Sequence, residues 1–182
     1  MPAWLNLPNA LTLLRLLLTP FVIQAIRGNR PTFALALFGL AAITDVLDGA
    51  AARRLNLGTS AGAYLDPVAD KCLLSGVFLA LAAGHFVPWW FVVIVFGRDI
   101  FILAGVAVFF LFTPIRKFPP TFWGKASTFV QIATAVVWMA RNMLEFSRLD
   151  ALAAGMLWIS SAFTIWSGLH YAWKGLELAR MD

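Results

Sequence analysis

The sequence predicts an all-α integral membrane protein with six transmembrane helices, and three observations carry that prediction. First, 61% of the 182 residues are hydrophobic and only 13% charged, where a soluble domain carries about 45–50% and about 25%. Second, six apolar stretches reach the length of about 17–25 residues that a helix needs to cross a bilayer. Third, the breaks between them hold the Gly, Pro, Asn and Arg residues that end helices and face water. Inside lipid every backbone N–H and C=O must be bonded within its own segment, so spans of this length are helices.

The first stretch, residues 7–26, follows a short segment in which Trp4 suits the headgroup region. Arg15 interrupts it and no small-residue cleavage site follows, so it reads as a retained span rather than a signal peptide. The second stretch, 31–52, starts at Pro31 and ends beside Arg53 and Arg54. The third is 66–83, the fourth 87–112 after Pro88, the fifth 121–140 after Pro119 and Pro120, and the sixth 151–173. The connections are too short for a second domain, so residues 1–182 read as one domain. With six spans both termini share a side. Placing them in the cytoplasm puts Arg53, Arg54, Arg116, Lys117, Lys174 and Arg180 inside and Arg27, Arg30, Arg141 and Arg148 outside. That bias of six against four favours inside termini.

The formal charge of +5 does not point to nucleic acid, because the basic residues lie at the ends of apolar stretches and form no run. The single cysteine, Cys72, permits no intrachain disulfide and reads as a small core residue. His85 and His170 have no His or Cys partner in the sequence around them and read as structural.

More telling are the charges inside the spans or at their ends: Arg15, Asp45, Asp48, Asp66, Asp70, Lys71, Arg98, Asp99 and Lys125. Four aspartates at mid-bilayer would cost on the order of 10 kcal/mol, less near a helix end. Such a cost calls for a compensating cation. Asp45 and Asp48 are three apart, and Asp66 and Asp70 four apart, so each pair shares a helix face. The two spans run antiparallel around the link 54–65, which brings both acidic ends to one membrane surface. Four converging carboxylates suit two divalent cations, Mg²⁺ or Mn²⁺, and two such metals serve a displacement at phosphorus. Gly49, Ala52 and Gly62 leave room either for a ligand against the backbone or for close helix packing. Lys71 reads as snorkelling to the surface or, by preference, balancing the acidic cluster, and Arg98–Asp99 as an acceptor contact or a self-neutralising pair.

These residues read Asp45-x2-Asp48-Gly49-x2-Ala52-Arg53-x8-Gly62-x3-Asp66-x3-Asp70. The pattern resembles, at every defined position, the signature of the CDP-alcohol phosphatidyltransferase family. Pro8-Asn9-x-Leu11-Thr12-x-x-Arg15 and Asp66-Pro67-x-Ala69-Asp70-Lys71 are similar to that family's first and third spans, and the resemblance covers nearly the whole chain. It implies a homodimeric six-helix enzyme of phospholipid biosynthesis with a polar cavity open to the cytoplasm, in the cell membrane if the source is bacterial. It further implies Asp45, Asp48 and Asp66 as metal ligands, and Asp70 as general base and fourth metal contact. Gly49, Ala52 and Gly62 would line the cytidine pocket, and Arg53 would hold the diphosphate of CDP-diacylglycerol, with CMP as leaving group.

The acceptor is read from Gly97-Arg98-Asp99-Ile100 and Pro120-Thr121-Phe122-x-x-Lys125-x-x-Thr128-x-x-Gln131. Both resemble the cardiolipin-forming branch of the family, and Val106 stands where glycerophosphate-using members carry a second arginine. Phosphatidylglycerol is therefore the preferred acceptor and glycerol 3-phosphate the alternative, with Arg98, Arg116, Lys117 and Lys125 as candidate acceptor contacts. An intramembrane prenyltransferase needs more spans. A small cation transporter would explain acidic residues in spans but not Arg53, Gly49 and Gly62 at fixed offsets.

Overall fold

The computed structural model describes residues 7–55, 60–112, 121–144 and 147–179, with side chains described for 10–45, 68–108, 111, 121–144 and 148–177. Among the described residues six helices follow one another: α1 (Leu7–Arg27), α2 (Pro31–Leu55), α3 (Ser60–Ala83), α4 (Trp89–Phe112), α5 (Phe122–Leu144) and α6 (Ser147–Ala179). Each coincides with one of the expected apolar stretches. The largest departures are at α3, which begins at Ser60 rather than 66, and α6, which covers 147–179 rather than 151–173. An apolar tally finds what suits lipid, whereas backbone hydrogen bonding carries a helix on into more polar sequence. At about 1.5 Å per residue α6, with 33 residues, is about 50 Å long. That exceeds the roughly 30 Å hydrocarbon thickness, so its length is more than enough to cross a bilayer.

Local chemistry explains the boundaries. Pro31 occupies the first position of α2, where its missing N–H costs nothing, and Ala34 N donates to Arg30 O (2.9 Å) to start the ladder. α1 ends in a Schellman turn: Asn29 takes a left-handed φ of 51°, Arg30 N donates to Ala25 O and Asn29 N to Ile26 O. α3 ends the same way with His85 at φ 59°, Phe86 N bonding Leu81 O and His85 N bonding Ala82 O. His85 is thus a helix stop. Thr121 caps α5, its Oγ1 accepting from Gly124 N at 3.1 Å.

The chain forms two compact units, Met1–Phe86 with Asn142–Leu144, and Val87–Arg141 with Glu145–Asp182. In the first, α1 packs against both α2 and α3. Ala34, Phe38 and Ala41 form one buried stripe of α2, and Val22, Ala25 and Ile26 a buried stripe of α1. Gly76 lets α3 approach α1 closely, since a Cβ there would lie 2.7 Å from Ile23 Cδ1.

In the second unit α4 packs on α6, with Trp90 against Trp158 at 5.0 Å between ring centroids. α5 joins α6 through a buried polar seam. Gln131 Nε2 donates to Thr164 Oγ1 at 2.9 Å, and the Ser127 and Thr164 hydroxyls lie 3.3 Å apart.

The outer surface is apolar, with Leu17, Val93, Leu103, Phe129 and Leu169 all well exposed. Apolar patches on this scale need a non-aqueous surrounding. Among the described residues three helices are long and apolar enough to cross a membrane: Ala10–Arg27, Trp89–Val108 and Arg148–Glu177. Pro31–Asp45 is a shorter apolar helix. α3 and α5 dilute their apolar runs with Asp70 and Lys71, and with Ser127, Gln131 and Thr134.

Candidate functional site

Arg15 organises the first unit's polar centre. It sits midway along α1, with its side chain 1% exposed. Its Nη2 lies 2.9 Å from Asp45 Oδ1 on α2, and its Nη1 donates to Asp70 Oδ1 on α3 at 2.7 Å. Three helices therefore meet in one charge cluster. The two carboxylates are 46% and 47% exposed, so their open sides remain accessible while the guanidinium lies beneath them. Around this point Thr12 and Thr44 are buried, and Thr44 Oγ1 donates to Ala41 O at 2.7 Å.

Asp45 and Asp70, the first and last aspartates of the sequence pattern, are thus brought to one place. The side chains of Asp48, Gly49, Ala52, Arg53, Gly62 and Asp66 lie outside the described residues, as do Arg116 and Lys117 altogether. The backbone places Asp48, Gly49, Ala52 and Arg53 on the last turns of α2, and Gly62 and Asp66 on the first turns of α3. Among the described residues no group of three or more His, Cys, Asp or Glu side chains converges. The described pair does fit a hard divalent cation: oxygen donors only, from two helices, each with an open face.

The second unit holds a separate polar cluster. Arg98 on α4, 10% exposed, donates from Nη1 to Asp99 Oδ1 (2.9 Å) and from Nη2 to Ser167 Oγ on α6 (2.6 Å). Its guanidinium carbon lies 5.8 Å from the Tyr171 ring centroid. Gly124 permits this, because a Cβ there would lie 3.2 Å from Tyr171 and 3.4 Å from Arg98 Nη2. Tyr171 Oη accepts from Thr121 N at 3.2 Å, tying the start of α5 to α6. Arg98 Nε is buried without a hydrogen-bond partner. Lys125 is exposed on the first turn of α5. Both readings of the Arg98–Asp99 pair survive: the pair is formed, and one donor is unused.

In the sequence Arg15 is a charge inside an apolar span with no evident task. The signal was there, since a lone cation inside one span and aspartates in two others are natural partners. The α5–α6 seam is likewise not evident there, although Ser127, Gln131 and Thr134 recur at helical spacing, as do Ser160, Thr164, Ser167 and Tyr171.

Helices apolar on their outer surface, with carboxylates gathered around a buried arginine, define a membrane protein built to handle charge within its helices. Comparison with known proteins gives that class a family. The chain belongs to the CDP-alcohol phosphatidyltransferase family, whose sequence profile matches residues 5–166. A Mycobacterium tuberculosis protein named a probable phosphatidylglycerophosphate synthase is 32% identical over 94% of this chain and 82% of its own length. A Salmonella choleraesuis CDP-diacylglycerol–glycerol-3-phosphate 3-phosphatidyltransferase is 31% identical over 97% of this chain and 96% of its own. A Drosophila melanogaster protein named a probable cardiolipin synthase (CMP-forming) is 31% identical over 95% of this chain and 60% of its own. The protein is accordingly an enzyme, a transferase of phospholipid biosynthesis, from a family that uses divalent cations.

Proposed function

We propose that the protein transfers the phosphatidyl group of CDP-diacylglycerol to a hydroxyl of a glycerol-type acceptor and releases CMP. The observation that carries this reading is the meeting of Asp45 and Asp70 from different helices on one guanidinium. Under it, Asp45, Asp48 and Asp66 would hold two divalent cations, Mg²⁺ or Mn²⁺, with Asp70 as a further contact. Bound there, the cations would offset the negative charge of the diphosphate. Gly49, Ala52 and Gly62 leave space for cytidine, and Arg53 pairs with the diphosphate.

Asp70 takes the proton from the acceptor hydroxyl. The acceptor oxygen then bonds the phosphorus that carries the diacylglycerol. The bond from that phosphorus to the bridging oxygen breaks, and CMP departs with the electron pair.

In this reading all six helices cross the membrane with both termini in the cytoplasm. A polar cavity opens on that side, and the active protein is a homodimer in the cell membrane if bacterial. Residues 1–182 work as one transferase domain, supported by a family match that runs through both units. Phosphatidylglycerol is the acceptor read from Gly97–Ile100 and Pro120–Gln131, with Arg98, Arg116, Lys117 and Lys125 toward its phosphate. The relatives' names support glycerol 3-phosphate equally.

The deciding experiment gives the purified protein CDP-diacylglycerol with both acceptors in mixed micelles and identifies the lipid product. Cardiolipin is expected. Phosphatidylglycerol phosphate as the dominant product, with cardiolipin undetectable, would reject phosphatidylglycerol in favour of glycerol 3-phosphate.

A further inference from the structure

We propose that Arg15 is a positioning residue that acts as a built-in counter-ion. It holds Asp45 and Asp70 in place while the candidate metal site is empty, and metal takes over that task on binding. The proposal rests on the reading of Asp45 and Asp70 as metal-site carboxylates.

The geometry separates the two sides of the cluster. The Arg15 side chain is 1% exposed, yet each carboxylate it touches is nearly half exposed. The arginine therefore approaches from within the helix packing and a metal would approach from the open side. In both contacts the arginine meets Oδ1 of the carboxylate. An ionised carboxylate offers about four lone-pair sites, so the arginine contact leaves capacity for a metal. Arg15 and a cation are in this sense compatible neighbours.

The choice of residue also matters. Two terminal guanidinium nitrogens take one carboxylate each, so the planar fork sets the spacing between α2 and α3 as well as supplying charge. A lysine ammonium is a single point and sets no such spacing. One guanidinium faces the two carboxylates of Asp45 and Asp70, so it offsets only part of their charge. The acids are held together, but the site still attracts a cation. Without Arg15 the two half-exposed carboxylates would repel each other whenever metal is absent, and metal would relieve that repulsion.

The test compares melting temperatures of wild type and Arg15→Gln in detergent, each with excess chelator and with saturating Mn²⁺. The variant should melt about 5 °C or more below wild type in chelator. With Mn²⁺ most of that gap should close, so the variant shows the larger metal-induced rise. A purely structural tie between α1, α2 and α3 would lower both melts equally, and that result overturns the proposal. So does a variant that matches wild type in chelator. Should Arg15→Gln not fold without metal, Arg15→Lys keeps the charge and loses the fork. It should fall between the two in chelator and meet wild type in Mn²⁺, and a lysine variant equal to wild type in both melts overturns the role of the fork. A wild-type protein unmoved by Mn²⁺ rejects the metal reading itself, visible without any variant, and takes the proposal with it.

Discussion

Asp70 carries two demands at once. It accepts a hydrogen bond from Arg15, and in the proposed reaction it must also take a proton from the acceptor. Asp70→Asn keeps the size and a hydrogen-bonding oxygen while removing the basic site. Turnover should fall by about 10²–10⁴-fold, the range a general base contributes. Binding of CDP-diacylglycerol should survive in part, because the proposed cytidine and diphosphate contacts are elsewhere. Steady-state rates set beside equilibrium binding of the nucleotide lipid check both halves, and near-normal turnover would remove Asp70 from that role. Single residues were unevenly legible in the sequence. The aspartates stood out because ionised groups are rare in apolar helices. Arg15 stood out equally, yet its task became visible only when three helices were seen to meet at it. No spacing rule links position 15 to 45 and 70, since the contact is made by packing rather than by helical period. His85 illustrates the opposite case, for its left-handed backbone explains it without any ligand.

At the level of helices, packing and hydrogen bonding make opposing claims that can be measured. Gly76→Ala gains up to about 1 kcal/mol of helix propensity. The new methyl would fall 2.7 Å from Ile23 Cδ1, and overpacking typically costs about 1–3 kcal/mol. The substitution should therefore destabilise the wild type slightly. It should become stabilising in an Ile23→Val background, which lacks the Cδ1 atom. Thermal unfolding of the four proteins in one detergent checks the change of sign. In the α5–α6 seam, Thr164→Val leaves Gln131 Nε2 and the Ser127 hydroxyl without that partner while both residues stay buried. A loss of about 1–2 kcal/mol is expected by the same measurement, with Thr164→Ser retaining most of the stability. The order and number of helices could be read from apolar length and punctuation. The pairing could not, because a lipid-facing helix and a packed helix have similar composition. Small residues such as Gly76 and Gly124 mark close approaches without naming the partner.

For the molecule as a whole, the proposed binding of divalent cations by Asp45, Asp48, Asp66 and Asp70 predicts that activity disappears with a chelator and returns with Mg²⁺ or Mn²⁺, as product formation per minute will show. Full turnover in excess chelator would reject the cation reading. The same charges bear on how the protein comes to be made. Arg15, Asp45 and Asp70 leave the ribosome in that order on three different helices, and in the proposed membrane arrangement Ala10–Arg27, long and apolar enough to cross, enters lipid with a cation inside it. A central arginine costs about 2.5–3.5 kcal/mol on insertion scales. Asp45 follows on the next helix, so the first ion pair closes as soon as α1 and α2 form a hairpin. Biogenesis should therefore favour release of α1 and α2 from the insertion machinery as a unit, with α3 delivering Asp70 to a pair already in place.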